Sequence, residues 1–300
     1  MKKNSDKKLS KNKKIFTKLC YEFGMLIFGI EKLMIEANDG DKLSQYQLGI
    51  CYKEGSAKFS SGKKIKSDWK EALKWFRLSA EQGNKDAQWQ LGSLYSMGLR
   101  GITKNIKDAI KWFQLSAEQG HVLAQYNLAR IYYDSEDIYQ DKKQAIKYFE
   151  SAAENNFLES QLQLGFIYLN GDTNIKQDYN IAMNWYKKAA EKGSEEAQYT
   201  LGVMYENGQG VDVNIEEAIM WFKLSAEQNA EDAQFALGKI YFKQNEYINA
   251  YKWLKIADIN EHETAKAVLD LLTVSMSKEQ INKAENLANI LIKNELGLLE

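Results

Sequence analysis

Few residues of this 300-residue chain have a type and spacing that could do chemistry. Ser60 and Lys63 stand in the S-x-x-K spacing, where a lysine amine can activate a serine nucleophile for acyl transfer. The S-D-N and K-T-G segments that would complete such a site are missing. Gly55 to Lys63 resembles a phosphate loop, but its glycines are seven apart instead of five, and Lys64 stands where a Ser or Thr must meet the metal. His121 and His262 follow helical segments in different parts of the chain, with no Ser or Cys nucleophile placed beside either. Glu195 with Glu196, and Glu216 with Glu217, open helices and there favour the helix dipole, so they read as caps and not as an acid–base pair. Cys20 and Cys51 lack metal-ligand spacing and read as buried thiols. The sequence therefore offers no catalytic residue, no metal site and no cofactor motif, and the expected protein is not an enzyme.

The elements that would hold any site are more legible. Ser194 to Asn229 is one copy of a segment that recurs along the chain. Aligning its Ala-Gln-x-x-Leu-Gly-x-x-Tyr start places Leu48, Leu91, Leu128, Leu164, Leu201 and Leu237 in register, 43, 37, 36, 37 and 36 residues apart. Such a period marks stacked supersecondary units, none of which can bury its apolar face alone. In the reference copy Ala197, Leu201, Met204 and Tyr205 share one helical face, which defines a helix A. After a turn at Asn207 to Gly210 come Ala218, Trp221, Phe222, Ser225 and Ala226, with Asn214 as a candidate cap, which defines a helix B.

The pattern A-Q-x-x-L-G-x-x-Y-x-x-G, followed by A-x-x-W-[FY]-x-x-[AS]-A-x-x-G, closely resembles the Sel-one-like repeat, a relative of the tetratricopeptide repeat. The likeness covers roughly residues 30 to 300. It implies an all-α, right-handed superhelical solenoid and adaptor roles with protein partners. Secreted members of that family are rich in paired cysteines and linked to β-lactams. A hydrolase of that kind is the alternative function, and the two cysteines here depart from it.

Composition agrees with unbroken helices: proline is absent, and the net charge of −1 comes from interspersed acidic and basic residues. No global field marks a nucleic-acid binder. Residues 1–14 hold seven lysines and no aromatic, so they read as a solvated tail. The apolar run Phe23 to Ile30 is too short to span a bilayer and has no cleavage site after it, so the expected location is cytoplasmic, without membrane insertion. Residues 15–41 read as a capping half-repeat, because Gly29, Leu33, Ala37 and Gly40 align with Ala72, Phe76, Ala80 and Gly83 of a helix B. Six repeats fill 42–260, at about 42–84, 85–120, 121–156, 157–193, 194–229 and 230–260, and 261–300 reads as a capping helix pair. In that pair Thr264, Val268 and Leu272 form one apolar face, and Ile281, Ala284, Leu287, Ala288 and Leu291 the other. Gly40, Gly83, Gly120, Asn156, Gly193, Asn229 and Asn260 follow each helix B as left-handed stops.

Positions identical in every copy serve stacking. The row Gln45, Gln88, Gln125, Gln161, Gln198 and Gln234 therefore reads as buried amides satisfying neighbouring groups, and the Trp-Phe pairs of helix B read as core. Specificity belongs where copies differ and the side chain points outward. Counting from the repeat leucine, positions −2, +2 and +5 project to about 160°, 200° and 140°, away from the core. The first is always apolar or aromatic, as packing between A helices requires. The other two vary and still carry large apolar groups, which suggests a partner site. The candidate binding residues are Tyr126, Arg130, Tyr133, Phe166, Leu169, Tyr199, Val203, Glu206, Lys239 and Phe242. The expected partner is a protein or peptide segment, with a homodimer through the same face as the other possibility.

Overall fold

The computed structural model describes residues 30–55, 57, 59, 64–98, 101–135, 140–172 and 174–295, with side chains to residue 290. The Lys-rich tail, Cys20, Gly29, Ser60 and Lys63 lie outside the described residues. The chain divides into two compact units, one ending at Tyr148 and the other beginning at Phe149.

The first unit holds α1 (Ile30–Asn38), α2 (Lys42–Glu54), α3 (Trp69–Glu81), α4 (Lys85–Met97), α5 (Ile106–Glu118), α6 (Val122–Asp134) and the start of α7 (Lys142–Glu154). The second holds the rest of α7, then α8 (Leu158–Asn170), α9 (Tyr179–Ala190), α10 (Glu195–Asn207), α11 (Ile215–Ala226), α12 (Glu231–Lys243), α13 (Tyr247–Ile259), α14 (Ala265–Thr273) and α15 (Lys278–Glu295). Every described element of length is a helix. The fold class is the all-α helical-repeat solenoid that the period demands: α2, α4, α10 and α12 each pack on the helix that follows and on the helix before, while α6 packs on α5 and α8 on α9.

Polar residues placed by the repeat start these helices. Asp41, Asn84 and Ser194 each accept the N–H three residues on in an A helix, and Asn105 and Asn214 do the same for B helices. The leucines of helix A and the second ring of the helix B before them form the core: Phe76 with Leu91 and Phe113 with Leu128 in the first unit, Tyr186 with Leu201 and Phe222 with Leu237 in the second, all buried. The first ring is more peripheral than the sequence suggests. Trp75 and Trp253 are buried, whereas Trp112, Tyr148, Trp185 and Trp221 are half-buried, because the helix turns this position toward the rim.

In five repeats a glycine follows the repeat leucine, and the second ring of helix B, or Leu254 in repeat six, lands on it; repeat three has Ala129 there. A Cβ on Gly202 would lie 2.6 Å from the Phe222 ring, and one on Gly92 would lie 2.5 Å from Phe113. Real Cβ contacts are not that short, so in these two pairs the ring can lie this close only to a residue without a side chain.

The six glutamines behave as a shared structural device. The Nε2 of Gln45, Gln88, Gln125, Gln161, Gln198 and Gln234 donates to the carbonyl eight residues earlier, at the end of the preceding B helix. In five copies the Oε1 accepts a bond from the end of the following B helix, from Gln82, Gln119, Lys192, Gln228 and Asn260. Buried amides are usually satisfied, and these five are satisfied across three helices, whereas the buried Oε1 of Gln125 has no hydrogen-bond partner among the described residues.

The left-handed stops fall where expected at Gly40, Gly83, Gly120, Asn156, Gly193 and Asn229. The seventh does not: Asn260 has φ −83°, and Glu261 takes φ 66°. Asn260 occupies the place of Gln82 and Gln119, with its amide on Gln234, so the stop lies one residue later. The same shift carries into α14, where Thr264 is exposed and Ala265, Leu269 and Leu272 form the buried face. Leu287 of α15 is likewise exposed, while Ala284 and Ala288 are buried. Helices α14 and α15 both pack on α13 and hardly touch each other.

Two outcomes follow from this packing. Gln198→Met keeps the volume but removes the two bonds that Gln198 makes, to the Ala190 carbonyl and from the Gln228 amide, so at about 0.5–1.5 kcal/mol for each a loss of about 1–3 kcal/mol in denaturant unfolding is expected. Gly202→Ala overpacks the Phe222 ring and costs about 1–3 kcal/mol in the same measurement.

Candidate functional site

The outward face of the A helices has a different chemistry in each unit. In the first, α4 and α6 present Ser93, Ser96, Asn127 and Arg130. A cavity of about 530 Å³ opens there, lined by Ser93, Ser96 and Met97, by Lys104, Ile106 and Phe113, and by Asn127, Arg130, Ile131, Asp134 and Ser135. Arg130 is held by its own helix, its Nε and Nη2 donating to Asp134 Oδ2 at 3.0 and 2.8 Å. That bond is the main cause of a guanidinium pKa above its ordinary value. Tyr133 is half-buried beneath the Lys142 ammonium, 5.3 Å from the ring centre. Lys53 donates to Gln90 Oε1 at 3.2 Å, and its burial lowers the ammonium pKa.

In the second unit the same face is mostly apolar. Phe166 is 53 % exposed, the most open of the large aromatic groups there. Leu169 packs against the buried cluster of α9 and α10, and Tyr199, Val203 and Phe242 against that of α11 to α15. Lys239 is exposed with its Nζ 5.5 Å above the Phe235 ring, and Glu206 lies 3.8 Å from Lys243 Nζ.

Of the ten residues singled out in the sequence, Arg130, Phe166 and Lys239 are exposed, and Tyr126, Tyr133, Leu169, Tyr199, Val203, Glu206 and Phe242 are partly buried. The angle from one helix axis takes no account of the next A helix, which covers part of this face. Sequence reasoning gave no weight to Ser93, Ser96 and Lys104. Their signal was the departure of one copy: repeat two alone has a small residue at both variable positions, where the others carry Ile50 and Lys53, Arg130 and Tyr133, Phe166 and Leu169, Val203 and Glu206, or Lys239 and Phe242.

The histidines occupy equivalent places and have the same surroundings. His121 Nδ1 accepts the Ala124 N–H at 3.2 Å, its Nε2 lies 3.2 Å from Asp86 Oδ1, and its ring stacks on Trp89. His262 repeats this with Thr264, Asp232 and Phe235. The hydrogen bond to His121 is the main cause of an Asp86 pKa below its ordinary value. Both rings stack on the preceding A helix, and His121 also caps the start of α6. Among the described residues, no three His, Cys, Asp or Glu side chains are grouped to hold a metal. No described helix is long and apolar enough to cross a membrane.

Stacked helix pairs of this geometry and period define a helical-repeat solenoid. The Sel1 repeat pattern matches residues 42–84, 85–121, 122–157, 158–194, 195–229 and 231–257, and the chain belongs to the Sel1 repeat family. Sel1 repeat proteins act as protein–protein interaction scaffolds and are generally not enzymes. Two solved structures are similar over most of the chain. One is c5321 of uropathogenic Escherichia coli, described as a protective antigen with an SLR fold, at 30 % identity and TM-score 0.64 over 88 % of this chain. The other is a Sel1 repeat protein from Oxalobacter formigenes, at 28 % identity and TM-score 0.59 over 81 % of this chain and 94 % of its own. The chain spans little more than half of c5321, 56 % of its length. Helicobacter pylori cysteine rich protein B also matches, at 25 % identity and TM-score 0.34 over 43 % of this chain. No curated protein matches.

The exposure of Phe166 separates surface from core. Phe166→Asp is expected to change unfolding free energy by no more than about 0.5 kcal/mol, whereas Leu201→Ala, at a fully buried position, costs about 2–5 kcal/mol. Urea unfolding of the two variants checks both values.

Proposed function

We propose that this chain is a non-enzymatic scaffold that binds a protein or peptide segment along the face formed by its A helices. The observation that carries this reading is the cavity on that face in the first unit, between α4 and α6 and lined by Arg130. In the second unit the exposed Phe166 ring supports it, with Lys239 as a further open group. Concave sites with an apolar lining and a few placed polar groups are where ligands bind, and aromatic and arginine side chains are the commonest anchors of protein interfaces. Tyr126, Tyr133, Leu169, Tyr199, Val203, Glu206 and Phe242 complete the proposed contact set as its partly covered margin. The family's general role as an interaction scaffold agrees with this reading.

The test uses the full chain as bait in a lysate of the native organism, beside the variants Arg130→Glu, Phe166→Asp and Tyr133→Ala. The expected result is at least one captured protein whose recovery falls about tenfold or more with a variant, at unchanged helicity, the loss typical of an interface anchor. Identical recovery by all four baits overturns the assignment of this face. Light scattering on the wild type distinguishes a partner from a second copy.

A further inference from the structure

We infer that the cavity between α4, α5 and α6 is a socket for one bulky apolar side chain of the bound segment, and that Lys104 at its mouth takes a carboxylate from a neighbouring residue of that segment. The inference rests on the reading of the A-helix face just given and adds the chemistry of the partner.

The cavity exists because repeat two leaves out what the other repeats put there. Ser93 and Ser96 hold the two outward positions of α4, where every other copy has at least one large side chain and most have two. The floor is apolar, formed by the ring of Phe113 with Ile106 and Ile131, and by Met97, which is 54 % exposed. A methionine at a rim adapts to the shape of what enters. The hydroxyls of the wall are turned inward: Ser96 Oγ donates to the Ser93 carbonyl, and Ser135 Oγ donates to the Ile131 carbonyl. A side chain entering the cavity therefore meets methyl and ring carbon beside the polar groups of Ser93 and Asn127 and the charged groups of the lining.

The charges on the lining are Lys104, Arg130 and Asp134. Arg130 and Asp134 neutralise each other within α6. Lys104 has no carboxylate at ion-pair distance among the described residues, so the cavity keeps one uncompensated positive charge. Its position is built by the backbone. Helix α4 ends on Gly98 with φ 63°, and a Cβ there would lie 2.6 to 3.0 Å from the Lys104 backbone and Cβ. The segment before α5 is thus drawn against the end of α4, at the cavity. The residue just before the helix-B cap is Ser67, Lys104, Gln140, Gln177, Val213 and Asn245 in successive repeats. Lysine occurs there only in the copy that lacks the two large side chains. Missing bulk and an added cation are two separate departures from the repeat, and they meet at one place. Their complement is an extended segment with an apolar side chain beside Asp or Glu. An exposed lysine beside an apolar wall favours such a carboxylate over an amide through charge complementarity.

The other copies supply the controls. Ser96→Leu installs the residue that repeat four carries as Leu169, and Ser93→Phe the residue it carries as Phe166. Both fill the socket with groups the repeat already accommodates. A random-peptide display library is selected on the wild-type chain, and enriched sequences are synthesised with a fluorescent label for anisotropy. The expected outcome is an enriched apolar–acidic pair and a labelled peptide whose Kd rises about tenfold or more on Ser96→Leu and on Ser93→Phe, with melting temperatures no lower than wild type. Lys104→Gln and a Glu→Gln peptide should each weaken binding, and the two together should cost no more than either alone. Peptides that bind wild type and both filled variants equally would overturn the socket while leaving the face as a binding surface. Binding indifferent to Lys104→Gln would overturn the carboxylate assignment. Enrichment of nothing would count against this inference and the scaffold reading together. A wild-type dimer that Ser96→Leu converts to monomer would place a second copy in the socket and overturn the peptide as occupant.

Discussion

A single buried side-chain amide ties each A helix to the helix before it. Its donor reaches back to a carbonyl at the end of one helix B, and in five copies its acceptor takes a bond from the end of the next. A glutamine in an apolar stack is costly unless both ends are used, and one register of three helices uses both. Hydrophobic burial supplies most of the driving force but tolerates sliding, whereas the amide does not. The serines of helix B add a second link of the same sense: Ser79, Ser116 and Ser225 donate to Lys42, Lys85 and Glu195, in the first turn of the adjacent A helix.

Much of this was legible in the chain because it repeats. Six copies of one pattern state which residues a helix pair needs, and the period, the helix boundaries, the caps and the role of the glutamines follow. The failures are instructive in the same terms. Asn260 was read as a left-handed stop because Asn can take that role, yet it belongs to the amide link, and Glu261 pays the backbone cost. Where the repeat decays, a one-residue slip cannot be detected from pattern alone, and the buried face of α14 slipped with it. The turns of repeats three and six differ from the others where they lack the glycine: Ser135 and Gln244 end α6 and α12 with φ −67° and −82°, where Gly55, Gly98 and Gly208 are left-handed.

The candidate site was harder to see, and the reason is physical. A helical angle says which way a side chain leaves its own axis and nothing about the helix next door. Val203 and Leu169 point outward by that measure and still lie against neighbouring clusters. Absence is harder to read than presence: two serines draw no attention in a list of candidate anchors, although their smallness opens the first unit's cavity. Arg130 shows the opposite case, an evident candidate whose charge is largely spent on Asp134 in its own helix.

The backward reach of the glutamine has a consequence for how such genes change. Each copy presents one unmet donor site at its start and one acceptor site at its end, of matching kind throughout. Removing or duplicating a whole copy between two equivalent turns joins a donor to an acceptor of the same shape, so unequal recombination yields a chain that still closes its bonds. Length is then free to vary among relatives while the joint between copies is not, and the outward positions of any inserted copy begin to diverge without penalty to the stack.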